Sequence, residues 1–238
     1  MIAIYHTSFD TPLPDNLWNR AVDMMPVSIA SRIARYIRWQ DRHSALLGKL
    51  LLRYGFADSS RPDSNHLDSN APNPNDPDSH LASLDILERL EETSHGRPVL
   101  KEENIDFNIS HSGNYVICGI SNSARIGLDI EKIRQIDISD FKRYMNEDEW
   151  ERIEKADAPF AGFFEYWTIK ESVMKADGRG MSIPIEDIMI SKDRANLYGV
   201  SWYYKALNID TGYKCHMAAD VKNPRIRIES ISCSELIA

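Results

Sequence analysis

The chain has 238 residues, 42% of them hydrophobic and 27% charged, and its formal net charge is -8. This composition is typical of a globular protein with one large or two small domains, and the negative charge argues against a general nucleic-acid binder. No run of about 18 apolar residues occurs, so we expect no transmembrane helix and no membrane association.

The first part of the chain predicts a strand followed by helices. Residues 1–6 predict an opening strand, and they lack the basic and apolar regions of a signal peptide. The three cysteines are scattered along the chain, which is typical of a cytoplasmic protein. Residues 41–54 have apolar side chains at helical spacing, and so do residues 81–92. Between them, residues 57–80 are mostly Asp, Ser, Asn and Pro, so we expect a flexible surface insertion there.

The remaining elements mix strands and helices. Residues 94–98 predict a turn, and residues 107–121 predict two strands around the segment 110–114. After a strand at 126–132 we expect a short helix at 137–144, a helix capped by Asn146 and Glu149, a helix at 163–176 that stops at Gly178, and strands from residue 181 to 228. This order favours an α+β fold with two similar subdomains, residues 1–123 and 124–238.

Residues 126–132 are the most informative segment. They alternate apolar and polar, which is typical of a half-buried strand, and they place Asp129 and Glu131 on one face, about 6.6 Å apart. Two neighbouring carboxylates repel each other unless a cation lies between them, and oxygen ligands suit a hard ion such as Mg²⁺. The alternative is a solvated strand edge, and this segment alone leaves both interpretations open.

A third acid follows on the helix at 163–176. Glu171 and Lys175 are four residues apart and therefore share a helix face, and Trp167 lies four residues before Glu171. The three side chains indicate a site with an aromatic wall, an acid and a cation. A stabilising surface pair of Glu171 with Lys175, with Trp167 in the core, is the alternative.

Two turns and one helix carry further candidates. The segment 110–113, Ser-His-Ser-Gly, offers hydroxyl, imidazole and backbone donors to phosphate oxygens, although a plain hairpin turn would have the same composition. The segment 96–98, Gly-Arg-Pro, would hold the positive charge of Arg97 against a ligand on a rigid turn, although Gly and Pro are also ordinary turn residues. Arg32, Arg35 and Arg38 form a basic stripe, which is more often a solvated helix face.

Four blocks in this order resemble the surfactin-type 4′-phosphopantetheinyl transferase family. They are residues 96–98, 107–113, 126–132, and 167–172 with Lys175. The third and fourth blocks together are highly specific, whereas the first alone is not. The similarity covers nearly the whole chain except the insertion at 57–80.

The resemblance implies an α+β fold with pseudo-twofold symmetry and an active site between the subdomains. It implies a magnesium-dependent enzyme that transfers the 4′-phosphopantetheine arm of coenzyme A to a serine of an acyl or peptidyl carrier protein and releases 3′,5′-ADP. The internal symmetry would make a monomer sufficient. Two other classes stay open: a non-catalytic module that binds coenzyme A or a carrier, and another magnesium-dependent enzyme acting on a nucleotide diphosphate.

The resemblance also implies a role for each candidate residue. The implied metal ligands are Asp129, Glu131 and Glu171. The implied contacts to coenzyme A come from Ser110 and His111 at the phosphates, from Gly96, Arg97 and Pro98 along the adenine, and from Lys175 at the pyrophosphate. The expected base is Glu171 or a water on the metal, and Lys175 would offset negative charge as it develops.

The chain departs from the family pattern at two positions. Ser44 stands where the family often has a basic residue for the 3′-phosphate, so we expect Arg32 with His111 to hold that group, with Arg42 a weaker candidate. Arg97 stands where Lys is commoner, and the planar guanidinium changes the geometry of its contacts.

The segment 134–144 is the predicted docking surface for the carrier. Carrier domains are usually acidic, and this chain is acidic as well, so attraction requires a local apolar or basic surface. The segment supplies it through Ile136, Ile138, Phe141, Lys142, Arg143 and Tyr144.

Overall fold

The computed structural model of the chain describes residues 1–59, 86–100 and 104–238. Its helices include α1 (Asp15–Asp23), α2 (Val27–Ala34), α3 (Trp39–Ser59), α4 (Glu147–Glu154), α5 (Pro159–Asp177) and α6 (Cys233–Ile237). Its strands are β1 (Ile2–Ser8), β2 (Leu90–Glu92), β3 (Pro98–Leu100), β4 (Asp106–Ser112), β5 (Tyr115–Ser121), β6 (Ile126–Lys132), β7 (Met189–Ile190), β8 (Arg194–Leu197), β9 (Val200–Ala206), β10 (Tyr213–Ala219) and β11 (Ile226–Ser230). The α+β class predicted from the sequence is confirmed.

Two boundaries around the predicted insertion differ from the prediction. Residues 57–59 complete α3, and the rest of the predicted insertion, 60–80, lies outside the described residues. The helix predicted at 81–92 is wrong at its end, because residues 90–92 form strand β2, which pairs with β3 across the turn at Gly96. Residues 81–85 of that helix also lie outside the described residues.

The first sheet has the strand order β11-β1-β5-β4. Helix α3 packs on one face through the buried leucines of the predicted helical stripe, Leu46, Leu47, Leu50 and Leu51. The last strand, β11, pairs in parallel with β1, and α6 packs into the same core, so residues 226–237 lie with the first sheet. The division into two subdomains stays a prediction, and its second part would have to exclude this C-terminal segment.

The second sheet has the order β6-β10-β9-β8-β7, and α5 covers its outer face. The inner faces of the two sheets pack against each other, with Ile4 and Ile117 from the first sheet against Leu128 and Met217 from the second. The molecule therefore has four layers: helices, sheet, sheet and helix. Pseudo-twofold symmetry between the halves stays a prediction.

Side chains join the facing edges of the two sheets. Four residues of β4 each accept a backbone N–H from the residue 20 positions later in β6, and we call these four residues the side-chain ladder. The pairs are Asp106 with Ile126 (2.6 Å), Asn108 with Leu128 (2.9 Å), Ser110 with Ile130 (3.4 Å), and Ser112 with Lys132 (3.1 Å). Because every second amide of β6 is satisfied in this way, β4 fixes the position of β6 without a backbone pairing.

Helix α5 lies unusually close to β6 because residue 127 is glycine. A Cβ atom at Gly127 would lie 2.0 Å from the carbonyl oxygen of Ser172 and 2.3 Å from the backbone nitrogen of Ala176, and both distances are too short for any side chain. The helix ends where the sequence predicts, at Gly178, whose φ of 85° favours glycine. The strand face that carries Asp129 is thus covered by a helix, and the prediction of a half-buried strand is wrong.

The capping box predicted at the start of α4 is confirmed. The Asn146 side chain accepts the N–H of Glu149, and the Glu149 carboxylate accepts the N–H of Asn146. Glu149 also pairs with Lys170 of α5 at 3.0 Å, and both side chains are buried. This pair connects α4 to the helix that carries Glu171.

Candidate active site

A cavity of about 310 Å³ lies between β4, β6 and α5. Its lining residues are Ile109, Ser110, His111, Asp129, Glu131, Trp167, Glu171 and Lys175. The predicted acids, the lysine and the aromatic wall are therefore brought together from one strand, β6, and one helix, α5. The close approach of α5 to β6 at Gly127 is what places Glu171 and Lys175 over Asp129.

Asp129 is the most buried acid of the cavity, with 4% of its surface exposed. Its Oδ1 accepts hydrogen bonds from Lys175 Nζ at 2.6 Å and from Ser110 Oγ at 3.1 Å. Its Oδ2 is buried and has no partner among the described residues. Burial raises the pKa of Asp129, and the Lys175 ammonium opposes this shift. An unsatisfied buried carboxylate oxygen is a feature that a bound cation would satisfy.

Glu131 lies two residues further along β6 and is held by Ser112, a residue that the sequence analysis did not assign. Ser112 Oγ donates a hydrogen bond to Glu131 Oε2 at 2.7 Å, and Arg134 contacts the same oxygen at 3.3 Å. Ser112 is two positions after Ser110 and so lies on the same strand face. That spacing was the only sequence signal for its role.

Glu171 completes the group from α5. Burial, together with the nearby negative charge of Asp129, raises the pKa of Glu171 to about 7. At neutral pH its carboxyl group is therefore poised between the protonated and ionised forms, which suits a group that takes up or releases a proton. A cation in the cavity would favour the ionised form.

The three carboxylates fit a hard cation by chemistry, since all are oxygen donors facing one cavity and one of their oxygens is unsatisfied. Across residues 1–59, 86–100 and 104–238, however, no three acidic, histidine or cysteine side chains are close enough to hold a metal ion as they stand. The positive charge beside Asp129 is Lys175. The oxygen ligands that a hard cation needs are thus present, but in this structure Asp129 is bound to Lys175 instead.

Four residues that were predicted to contact coenzyme A do not line the cavity. Arg32 is exposed and pairs with Glu92 at 2.9 Å. Gly96 forms a turn and Pro98 begins β3. The buried guanidinium of Arg97 binds Asp106 at 2.7 Å and the carbonyl oxygens of Ile126, Lys175 and Ala176. Arg97 thus ties β4 to β6 and α5, and the ligand roles of these four residues stay predictions.

The remaining predicted phosphate contacts are at the cavity. His111 is exposed at its rim, where it is accessible to a ligand. Ser110 is buried, donates to Asp129 and accepts a hydrogen bond from Lys175 Nζ at 2.9 Å. Its hydroxyl is therefore engaged within the protein, and its contact with a phosphate stays a prediction.

The fold and the site define an α+β protein in which three acids and a lysine line a cavity between strands of two sheets and a helix. Residues 125–225 match the family model of the 4′-phosphopantetheinyl transferase superfamily. This match agrees with the resemblance in the sequence of the chain.

Several curated relatives of the chain are named as phosphopantetheinyl transferases. The chain is 38% identical over 162 residues to the 4′-phosphopantetheinyl transferase gsp of Aneurinibacillus migulanus, and this match covers 67% of the chain and 59% of that protein. It is 25% identical over 244 residues to the 4′-phosphopantetheinyl transferase Sfp of Bacillus subtilis, covering 98% of the chain and 99% of that protein. The L-aminoadipate-semialdehyde dehydrogenase-phosphopantetheinyl transferase of Homo sapiens is 26% identical over 196 residues, with 76% of the chain and 57% of that protein covered.

Proposed function

We propose that this protein transfers the 4′-phosphopantetheine arm of coenzyme A to a serine of an acyl or peptidyl carrier protein and releases 3′,5′-ADP. The observation that carries the proposal is the cavity in which Asp129, Glu131, Glu171 and Lys175 meet. The names of the curated relatives support the reaction type.

We further propose that Asp129, Glu131 and Glu171 hold Mg²⁺ when coenzyme A is present. The bound ion would offset the negative charge of the two phosphates in the pyrophosphate of coenzyme A and of the leaving 3′,5′-ADP. Since Lys175 already neutralises part of the charge on Asp129, we expect the ion to bind with the coenzyme rather than before it.

The protein's own groups have distinct roles in this proposal. Glu171, whose carboxylate faces the cavity and is ionised when a cation is bound, accepts the proton of the serine hydroxyl. Lys175 moves from Asp129 toward the pyrophosphate, and its 28% exposed side chain leaves it room to do so. His111, at the rim, contacts the 3′-phosphate together with Arg32.

Mass spectrometry of an apo carrier protein, incubated with this protein, coenzyme A and Mg²⁺, tests the function. We expect a mass gain of one phosphopantetheine per carrier. Release of 3′,5′-ADP without a carrier would indicate a hydrolase instead. Coenzyme A binding without either reaction would indicate a non-catalytic module.

The predicted carrier-docking segment lies beside the cavity. Residues Ile138–Tyr144 form a short 3₁₀ helix, in which Phe141 packs edge-on against Trp167 with ring centroids 5.4 Å apart. Trp167 lines the cavity, so a partner that contacts this helix would present its serine near Glu171. Phe141 also contacts Phe163 within an aromatic core cluster, which makes it unsuitable as a test position. Arg143 is exposed and suitable.

Arg143→Glu should raise the KM for the carrier by about 3- to 10-fold, because it places a negative charge where an acidic partner approaches. The KM for coenzyme A should not change. Steady-state kinetics with each substrate varied in turn measures both constants. Arg194→Glu is the matched control, since it makes the same charge change on exposed strand β8. An equal effect of both variants would show that net charge, and not this segment, is responsible.

None of the helices in the described part of the chain is long and apolar enough to cross a membrane. A cytoplasmic location and a monomeric state remain proposals from the sequence. Gel filtration with light scattering would test the second.

A further inference from the structure

Ser110 and Ser112 repeat the same pair of hydrogen bonds two residues apart. Each hydroxyl accepts the backbone N–H of the residue 20 positions later, and each donates its own hydrogen to the carboxylate 19 positions later. The carboxylates are those of Asp129 and Glu131. The side-chain ladder therefore does two things in its last two positions: it joins the sheets and it contacts the acids of the cavity.

The two acids depend on their serines to different degrees. Asp129 has a short side chain, is almost fully buried and is also bound to Lys175 at 2.6 Å. Glu131 has a longer side chain with more rotamers, and 23% of it is exposed. Its other partner, Arg134, is 53% exposed at 3.3 Å, so water and salt screen that contact.

The backbone orients the Ser112 hydroxyl. The N–H of Lys132 occupies one lone pair of Oγ at 3.1 Å, which leaves the hydroxyl hydrogen free to point at Glu131 Oε2, 2.7 Å away. Ser112 is itself buried on a strand, so this donor has a fixed position. Such contacts to a metal-ligating carboxylate orient it and raise the affinity for the ion.

We propose that Ser112 is a positioning residue, which holds the Glu131 carboxylate toward the cavity for binding of a divalent cation. The proposal rests on the proposed function, in which Glu131 is a ligand. It links the side-chain ladder between the two sheets to the affinity for the cation, because the Ser112 hydroxyl both accepts the backbone N–H of Lys132 and donates to Glu131.

Binding of Mn²⁺ in place of Mg²⁺, followed by electron paramagnetic resonance at saturating coenzyme A with a protein-free blank, tests the proposal. Ser112→Ala should raise the Mn²⁺ dissociation constant about 10-fold, as removal of such partners typically does. Ser112→Thr, which keeps the hydroxyl, should bind Mn²⁺ as the parent protein does. Should Ser112→Ala not fold, Ser112→Cys keeps the volume with a weaker donor and should also bind Mn²⁺ less tightly.

Asn108→Ala is the matched control. It removes another member of the side-chain ladder, the acceptor for Leu128 N–H at 2.9 Å, but Asn108 contacts no acid of the cavity. It should lower the melting temperature and leave the Mn²⁺ dissociation constant within about twofold of the parent value.

The outcomes separate this proposal from the function on which it rests. If the parent protein binds no Mn²⁺ with coenzyme A, both the cation site and the role of Ser112 are overturned. If the parent binds Mn²⁺ and Ser112→Ala binds it equally well, only the role of Ser112 is overturned. An equal loss of affinity in Asn108→Ala would assign the effect to the joint between the sheets and would also overturn that role.

Discussion

Glu171→Gln should lower the rate of phosphopantetheine transfer by about 10²- to 10⁴-fold, the usual contribution of a general base. The amide has the shape of the carboxyl group but neither accepts the serine proton nor contributes a negative charge to a cation. Quantitative mass spectrometry of the carrier at saturating coenzyme A measures the rate. Transfer by the variant at the parental rate would remove Glu171 from the mechanism.

The same variant should be more stable than the parent above neutral pH. The pKa of Glu171 is about 7 in the folded protein against 4.5 as its ordinary value, so the folded state holds its proton more tightly than the unfolded state. The stability associated with this proton is complete below about pH 4.5 and is lost as the pH rises through about 7. Glutamine is neutral throughout and does not lose it.

Thermal melts in metal-free buffer should therefore coincide near pH 4.5 and differ at about pH 8. We expect a gain for the variant of about 2 to 3 kcal/mol, or roughly 5 °C in Tm, at the higher pH. Glu165→Gln is the control, because Glu165 lies on the same helix but is half exposed and pairs with Lys214. Loss of activity without this gain would contradict the raised pKa of Glu171, although not its role as a base.

The acids of the cavity were predictable because local periodicity determines where they point. The period of two in 126–132 puts Asp129 and Glu131 on one face of a strand, and the spacing of four puts Glu171 with Lys175 on one face of a helix. Both relations follow from the geometry of the strand and of the helix alone, and they do not depend on how the two elements pack. The structure then brings the two faces together at one cavity.

The role of Ser112 could not be predicted in the same way, since it depends on the register between strands of different sheets. No local pattern sets that register; the four acceptors of β4 set it through bonds to residues 20 positions away. The same reason applies to Arg97, whose partners lie on three separate elements. The helix predicted at 81–92 was wrong at its end because pairing of β2 with β3 overrode a leucine spacing that continues to Leu90.

Gly127→Ala should destabilise the protein by about 3 kcal/mol, at the upper end for an overpacked site, because its methyl group meets backbone and not a movable side chain. The nearest atoms are the Ser172 carbonyl oxygen and the Ala176 nitrogen, at 2.0 and 2.3 Å from the Cβ position. Relief requires α5 to move away from β6, and Glu171 and Lys175 move with it. A displacement of about 1 Å is enough to lower transfer by about 100-fold.

Urea titration and the carrier assay together test this prediction against Gly162→Ala. Gly162 is on the same helix, but a Cβ there would lie 3.6 Å from its nearest neighbour, which is an ordinary contact. That control should gain up to about 1 kcal/mol from its helix propensity and keep full activity. If Gly127→Ala is as stable and active as the control, α5 can be accommodated further from β6. Close contact would then not be what aligns the helix acid with the strand acids, and Glu171 would have to reach the cavity through the flexibility of its own side chain.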